Sequence, residues 1–340
     1  MVKKVWDDPK IYRIFVDLPQ NPLRLLNVYV IRSQGANLVI DTGFNRPECE
    51  QALWSGIREL GLDLSKTALF LTHLHTDHTG LVWSFVEQQV PVYMSRIDYT
   101  LMQYPKNGNR PGAAIETRFR KEGFPPEELA RQETENQARH YAPRPGFPVI
   151  PVDDGQTIPV GGVEVRAVHT PGHTPGHMVL YLPEQLLLFS GDHVLFDITP
   201  NIGVWGWEDR SLETYIASLK TVDALPVQAT FPAHRETGAD LHGRILELID
   251  HHGWRLNEIY EAVKAHPGAT AYELAGRITW SARGLSWAQF PPHQKWFALS
   301  ETLSHLDYLT SRDQIVRVEE GDFLRYYPGG EEADNEITKM

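Results

Sequence analysis

Residues 67–78 read TALFLTHLHTDH, an apolar strand-like run that opens directly onto three histidines and an aspartate. At the end of a core strand, so many polar and ionisable groups are costly to bury unless a cation compensates them. In an extended chain, side chains two apart share a face, so His73 and His75 can address one ion. As the chain turns, Asp77 and His78 can address a second. Imidazole nitrogen and carboxylate oxygen are donors that zinc accepts, and iron and manganese take the same mixture. The fold must therefore bring this strand end to a polar, metal-binding centre. The chain holds 15 histidines, several of them in short clusters, which locates the chemistry there.

Strands suited to such a centre occur in two groups. RIFVDL, LNVYVIRS and ANLVIDTGF are rich in β-branched and aromatic residues and are bounded by Pro, Asn or Gly. Ala52, Leu53, Ile57 and Leu60 then follow helical spacing, closed by Gly61. A polar insertion, 96–148, carries two helical runs near 114–121 and 126–138 between Pro- and Gly-marked loops. Strands resume in GGVEVRAVH, HMVLYLP and QLLLFSGD, a helix is expected over 212–224, and VQATFPAH is a last strand that ends on a histidine.

From residue 241 the pattern turns helical. Leu241, Ile245, Leu248, Ile249, Leu256, Ile259 and Val263 trace one face despite Gly253, and Pro267-Gly268 stops the run. Thr270 and Glu273 form a capping box for a second helix, and a third carries Leu299, Leu303 and Leu306. QIVRVEEGDFLRYYP reads as a hairpin. Three helices and a hairpin outline a winged-helix-like domain. A length of 340 residues with 41% hydrophobic content supports two domains. These are expected at 1–239, containing the insertion, and 240–328, followed by a tail, 329–340, too poor in apolar residues to pack.

The pattern H-x-H-x-D-H at a strand end resembles the signature of the metallo-β-lactamase superfamily, and the similarity continues to about residue 235. D-T-G at 41–43, VHTPGHTPGH at 168–177, SGDHV around Asp192 and FPAH ending at His234 match its motifs in order. The resemblance implies an α/β chain folded as an αββα sandwich. It also implies one ion on His73, His75 and His173, a second on Asp77, His78 and His234, and Asp192 spanning both. It places Asp41 beneath the centre, where a carboxylate can orient a ligand imidazole, and favours His173 over His169 and His177. His193, next to Asp192, is expected to support the centre rather than ligate. The order of catalytic domain and winged helix is similar to the lactamase-beta-2-like branch, as are ITPNIGVWGW and TAYELAGRITW.

The implied activity is hydrolysis of a small-molecule ester, thioester or lactone. Two divalent ions, zinc with iron or manganese also compatible, would share a bridging hydroxide, and Asp77 would orient it or carry its proton. An endoribonuclease and a mononuclear iron enzyme of the persulfide-dioxygenase type are the alternatives on this fold. A net charge of -12 opposes nucleic-acid binding. No apolar run approaches the roughly 18 residues that span a membrane. With no secretory signal and one cysteine, Cys49, a cytoplasmic protein without disulfides is expected.

The C-terminal domain is expected to pack on the catalytic domain or to form a homodimer contact. The insertion, with nine Lys and Arg against seven Asp and Glu, is expected to act as a lid. Together with Phe196, Trp205 and Trp207 it would form a pocket for an anionic small molecule.

Overall fold

The structure, a computed structural model, describes residues 1–103, 111–135, 140–207, 210–236, 238, 240–281 and 284–330. The tail expected to be disordered falls, from residue 331 onward, outside the described residues.

The chain forms two compact units, the first comprising residues 1–103, 137–200 and 218–244. Its larger sheet has seven strands in chain order: β1 (Val2–Trp6), β2 (Lys10–Asp17), β3 (Leu25–Ser33), β4 (Ala36–Ile40), β5 (Thr67–Leu71), β6 (Val92–Ser95) and β7 (Ile150–Val152). The first four form an antiparallel meander, whereas β4 to β7 pair in parallel. Parallel neighbours need crossover connections, usually helical. Here α1 (Pro47–Glu59) links β4 to β5, and α2 (Thr76–Thr79) and α3 (Val82–Val86) link β5 to β6. The link from β6 to β7 begins with α4 (Arg96–Gln103) and continues through α5 (Pro111–Lys121) and α6 (Pro126–Glu135), which belong to the second unit.

The smaller sheet is ordered β12-β11-β10-β9-β8, built from β8 (Thr157–Val160), β9 (Val163–His169), β10 (Met178–Leu182), β11 (Leu187–Gly191) and β12 (Ala229–Pro232). Only β11 and β12 are parallel, and α7 (Ser211–Asp223) lies in their crossover.

Side-chain alternation explains the layering. Val28, Val30, Val39, Leu69 and Leu71 cluster with Cys49, Leu53 and Ile57 of α1 and with Val82 and Phe85 of α3. Their neighbours Tyr29, Ile31, Leu38, Ile40 and Phe70 turn to the other face and meet Val165, Ala167, Leu180, Leu187, Phe189 and Phe231 of the smaller sheet. Strands buried on both faces must be apolar almost throughout, as these are. Each such side chain contributes about 1.5–3 kcal/mol on full burial. The outcome is the expected αββα sandwich.

The second unit comprises residues 104–136, 201–217 and 245–340. It contains α5, α6, nearly all of α8 (Leu241–Ala265), α9 (Ala271–Ala275), α10 (Pro292–Thr310) and a hairpin of β13 (Ile315–Glu320) with β14 (Phe323–Pro328). The capping box of Thr270 and Glu273 is formed. Within this unit the helices of the insertion are firmly packed. Arg118 on α5, 0% exposed, donates to Gly206 O at 2.8 Å and to Asp307 Oδ1 at 2.7 Å, and the Phe119 and Trp296 ring centroids are 4.1 Å apart.

Strands β1, β6, β7 and β8 and helices α2 to α4 have no counterpart in the sequence patterns. At three to eight residues they are too short for periodicity to register. Among the described residues no helix is long and apolar enough to cross a membrane.

Candidate metal centre

Five strand ends of the first unit deliver the candidate residues. β4 leads into Asp41, β5 into His73 and His75, β9 into the loop with His173, β11 into Asp192 and β12 into His234. The short helix α2 carries Asp77 and His78. All lie at carboxyl ends of strands, the rim where crossover connections leave open backbone and side chains free to converge.

Two clusters result. In one, His75 Nδ1 lies 3.0 Å from His73 Nε2 and 2.9 Å from His173 Nε2. In the other, His234 Nε2 is 3.4 Å from Asp77 Oδ2, and His78 Nε2 is 3.8 Å from the same oxygen. Asp192 faces both with different atoms. Its Oδ2 is 3.6 Å from His173 Nε2, while its Oδ1 is 3.5 Å from His78 Nε2 and 3.4 Å from His234 Nε2. The groupings His73-His75-His173, His73-His78-Asp192 and Asp77-His78-His234 each keep their donor atoms within 4.8 Å of one another. Around an ion with 2.0–2.1 Å bonds to nitrogen, tetrahedral donors stand roughly 3.3 Å apart, close to these separations.

The far sides of three of the rings are tied down. His78 Nδ1 donates to Asp41 Oδ2 at 2.8 Å, and His234 Nδ1 donates to Leu25 O at 2.7 Å. His73 Nδ1 meets Thr72 Oγ1 at 3.0 Å, and that hydroxyl also contacts Asp41 Oδ2 at 2.9 Å. With protons fixed on Nδ1, the Nε2 lone pairs of His73, His78 and His234 point inward. Three of the inward atoms, His78 Nε2, His234 Nε2 and Asp192 Oδ1, are buried and make no hydrogen bond of normal geometry among the described residues. Buried polar atoms are ordinarily satisfied, so this set fits a divalent cation well.

The electrostatics agree. Burial together with the surrounding imidazoles drives His73 well below the usual histidine range, and burial and His173 push His75 down to about 3. Both rings are neutral donors. Burial works against protonation at both His78 and His234, but Asp41, Asp192 and Asp77 outweigh it at His78, and Asp192 and Asp77 outweigh it at His234, so both are raised. Burial disfavours the Asp77 carboxylate, yet His78 and His234 hold it down to about 2. Asp192 is likewise held well below the carboxylate range by His234 and His78 against burial. These carboxylates create a field that favours positive charge.

The remaining expected residues have distinct surroundings. Asp41, 1% exposed, takes Thr72 N at 2.8 Å as well as His78, so it lies directly behind the rings. His193 is buried, hydrogen-bonded with the backbone of Ser218, and pushed down to about 3 by burial. His169 and His177 lie outside the three donor groupings and use their ring nitrogens in other contacts. His169 Nε2 contacts Pro175 O at 2.8 Å, while His177 Nε2 accepts Asp192 N at 3.2 Å. Phe196 belongs to the first unit and packs over Gly238. Trp205 and Trp207 belong to the second, where Arg118 donates to the backbone carbonyl of Trp207. Thr72 was not singled out in the sequence. Its place immediately before the first histidine was the available signal, because the alternation that points His73 and His75 one way points their neighbours Thr72 and Leu74 another.

Comparison with known proteins gives three consistent results. The sequence model of the metallo-beta-lactamase superfamily matches residues 22–234. Similar curated relatives include atrochrysone carboxyl ACP thioesterases of Aspergillus fumigatus, 28% identical over 249 residues, and of Emericella nidulans, 29% identical over 237 residues. These alignments cover 73% and 70% of this chain but only 47% and 59% of the relatives, so the chain spans about half to three-fifths of their length. Among solved structures, a metallo-beta-lactamase family protein from Thermus thermophilus aligns with a TM-score of 0.76 at 28% identity, covering 94% of this chain and 98% of that one. A beta-lactamase domain protein from Burkholderia ambifaria aligns with a TM-score of 0.82 at 25% identity, covering 96% and 94%.

Proposed function

The chain belongs to the metallo-beta-lactamase superfamily, and from that premise we propose that it is a dinuclear metal-dependent hydrolase of thioesters. His73, His75 and His173 would hold one divalent cation, and Asp77, His78 and His234 a second. Asp192 would bridge them. The observation that carries this reading is the aspect of Asp192, with Oδ2 toward His173 and Oδ1 toward His78 and His234. Nitrogen and carboxylate donors in this mixture suit zinc, with iron and manganese also compatible.

When bound, such cations supply Lewis-acid activation of water and polarisation of an acyl carbonyl. The chain's own residues set the rest. Asp77 stays anionic at neutral pH and offers a fixed acceptor that orients the attacking water. Asp41, Thr72 and Leu25 O keep the ring protons on Nδ1, so the donor atoms are presented without rearrangement. A thiol leaving group with a pKa of about 8.5 departs as thiolate without a strong general acid, which suits a site built from acceptors. The thioesterase names of the relatives support a thioester over an oxygen ester or lactone, and a carrier-bound or small acyl thioester is the substrate class. The segment from Asp240 to the end holds 10 Lys and Arg against 16 Asp and Glu, which argues against a nucleic-acid role for the winged-helix-like domain.

The test is thiol release from acetyl, aryl and polyketide-like pantetheine thioesters by the zinc-loaded protein. Turnover should depend on added metal and fall at least a hundredfold in Asp192→Asn. Hydrolysis that survives both chelation and this substitution would refute the reading.

A further inference from the structure

Outside both clusters, one carboxylate ties the loops of the first cluster to each other. Asp98 on α4 is 0% exposed and accepts three hydrogen bonds. Leu74 N donates to its Oδ2 at 2.9 Å, Thr174 Oγ1 donates to the same oxygen at 2.6 Å, and Gly176 N donates to Oδ1 at 2.6 Å. Leu74 separates His73 from His75, and Thr174 directly follows His173. A single side chain therefore spans the two segments that bring three imidazole nitrogens to 2.9–3.0 Å.

The surroundings are shaped for this contact. A Cβ at residue 176 would stand 2.6 Å from Asp98 N and from Ser95 Oγ and 2.7 Å from Asp98 Oδ1, so only glycine allows the approach. Ser95 Oγ accepts Ile97 N at 3.2 Å and fixes the start of the helix that carries Asp98. Burying a carboxylate is costly unless its lone pairs are used, and here they are used by donors from the two loops that must stay in register.

We propose that Asp98 is a positioning residue for the three-histidine cluster, a clamp that sets the separation of His73 and His75 from His173. The proposal rests on the dinuclear reading above. None of its three bonds goes to an imidazole, so Asp98 acts through backbone spacing rather than by orienting a ring. Metal sites tolerate deviations of only about 0.2 Å in ligand distance, so loosening either loop should weaken one ion selectively.

The experiment measures zinc affinity on the full chain by competition with a chromophoric chelator, for the parent, Asp98→Asn and Thr174→Val. In Asp98→Asn the amide can keep Gly176 N and reverse the Thr174 hydroxyl, but its NH2 then faces Leu74 N–H. One of the two zinc equivalents should weaken about 10–100-fold while the other keeps the parent affinity. Thr174→Val removes one bond and keeps the charge, so the same equivalent should weaken by a smaller factor. Thr174→Val decides the matter by itself should Asp98→Asn fail to fold. Two equivalents bound with parent affinities in the variants, or a loss shared equally by both, would overturn the clamp. A lowered thermal midpoint with unchanged affinities would assign Asp98 a purely structural role and overturn it equally. A parent that binds no zinc would instead defeat the dinuclear reading.

Discussion

Replacing Asp41 by asparagine isolates the contribution of one buried charge. Asp41 lies in the left-handed backbone region, φ 64°, which asparagine also adopts readily, so the substitution carries little backbone strain. Its carboxylate takes Thr72 N at 2.8 Å, Thr72 Oγ1 at 2.9 Å and His78 Nδ1 at 2.8 Å. An amide retains one acceptor oxygen. If that oxygen stays on Thr72 N–H, the amide NH2 faces His78 Nδ1, and the imidazole can receive it only by moving its proton to Nε2. That atom lies 3.5 Å from Asp192 Oδ1, on the side a cation would occupy. If the amide is reversed, Thr72 N–H loses its acceptor at a cost of about 1–3 kcal/mol.

Both orientations lose a charge-assisted hydrogen bond, worth about 1.5–3 kcal/mol. Support groups of this kind typically change metal affinity 10–100-fold, about 1.4–2.7 kcal/mol, so the two routes to the magnitude agree. Calorimetric titration with zinc should show the loss at the equivalent that includes His78, with the other equivalent nearly unchanged. The thermal stabilisation conferred by zinc should shrink in parallel. Asp41→Asn binding both equivalents at parent affinity, with parent turnover, would show that this hydrogen bond does not set the His78 tautomer.

Three further outcomes are expected. Gly80→Ala should lower stability by about 1–3 kcal/mol or more, because the new Cβ would meet backbone atoms, Asn45 N at 2.5 Å and Gly43 O at 2.6 Å, that cannot swing aside; an unchanged thermal midpoint contradicts this. Gly253→Ala, within α8 where an added Cβ has nothing within 4 Å, should raise the urea midpoint by the equivalent of about 0.5–1 kcal/mol with an unchanged slope, and a lower midpoint counts against the helix-propensity argument. Glu122 is pushed up to about 7 by burial against the opposing pull of Arg118, so the folded protein keeps its proton where the unfolded chain has lost it. Stability is therefore lost as pH rises from about 4.5 to about 7, and Glu122→Gln should gain on the parent across that window, by on the order of 3 kcal/mol, and level off above it; a difference independent of pH in chemical denaturation would refute the assignment.

How much of this was legible in the sequence depended on how local each feature is. His73, His75, Asp77 and His78 were readable because they fall within one strand end and one turn, where chemistry and spacing coincide. His173, Asp192 and His234 were suggested by resemblance of their motifs, since their convergence depends on stacking two sheets and no spacing encodes it. The long helices and the terminal hairpin were readable from periodicity and capping, as at Thr270 and Glu273. Asp98 was not. RIDYT looks like an ordinary helix start, and its carboxylate finds partners at Leu74, Thr174 and Gly176 only after folding. Arg118 was read as part of a positive insertion, yet it is buried against Asp307 and Gly206, about 90 to 190 positions away.

These examples share a physical pattern. Residues that can hold a cation announce themselves by type, whereas those that fix the donors in place are ordinary threonines, aspartates and backbone carbonyls. In the first unit many of these restraints run between loops. His234 is tied to Leu25, His78 to Asp41, Asp192 N to His177, and Asn27 Nδ2 to Pro232 O at 2.9 Å. Restraints of this kind make the spacing of the donor atoms a property of the whole sandwich, set by the register of β3, β4, β5, β11 and β12 together. Donors held this way need little ordering when an ion binds, so more of the coordination energy appears as affinity. The same coupling implies that a substitution remote from the rim, such as one that shifts β3 against β12, should weaken metal binding without removing a single donor.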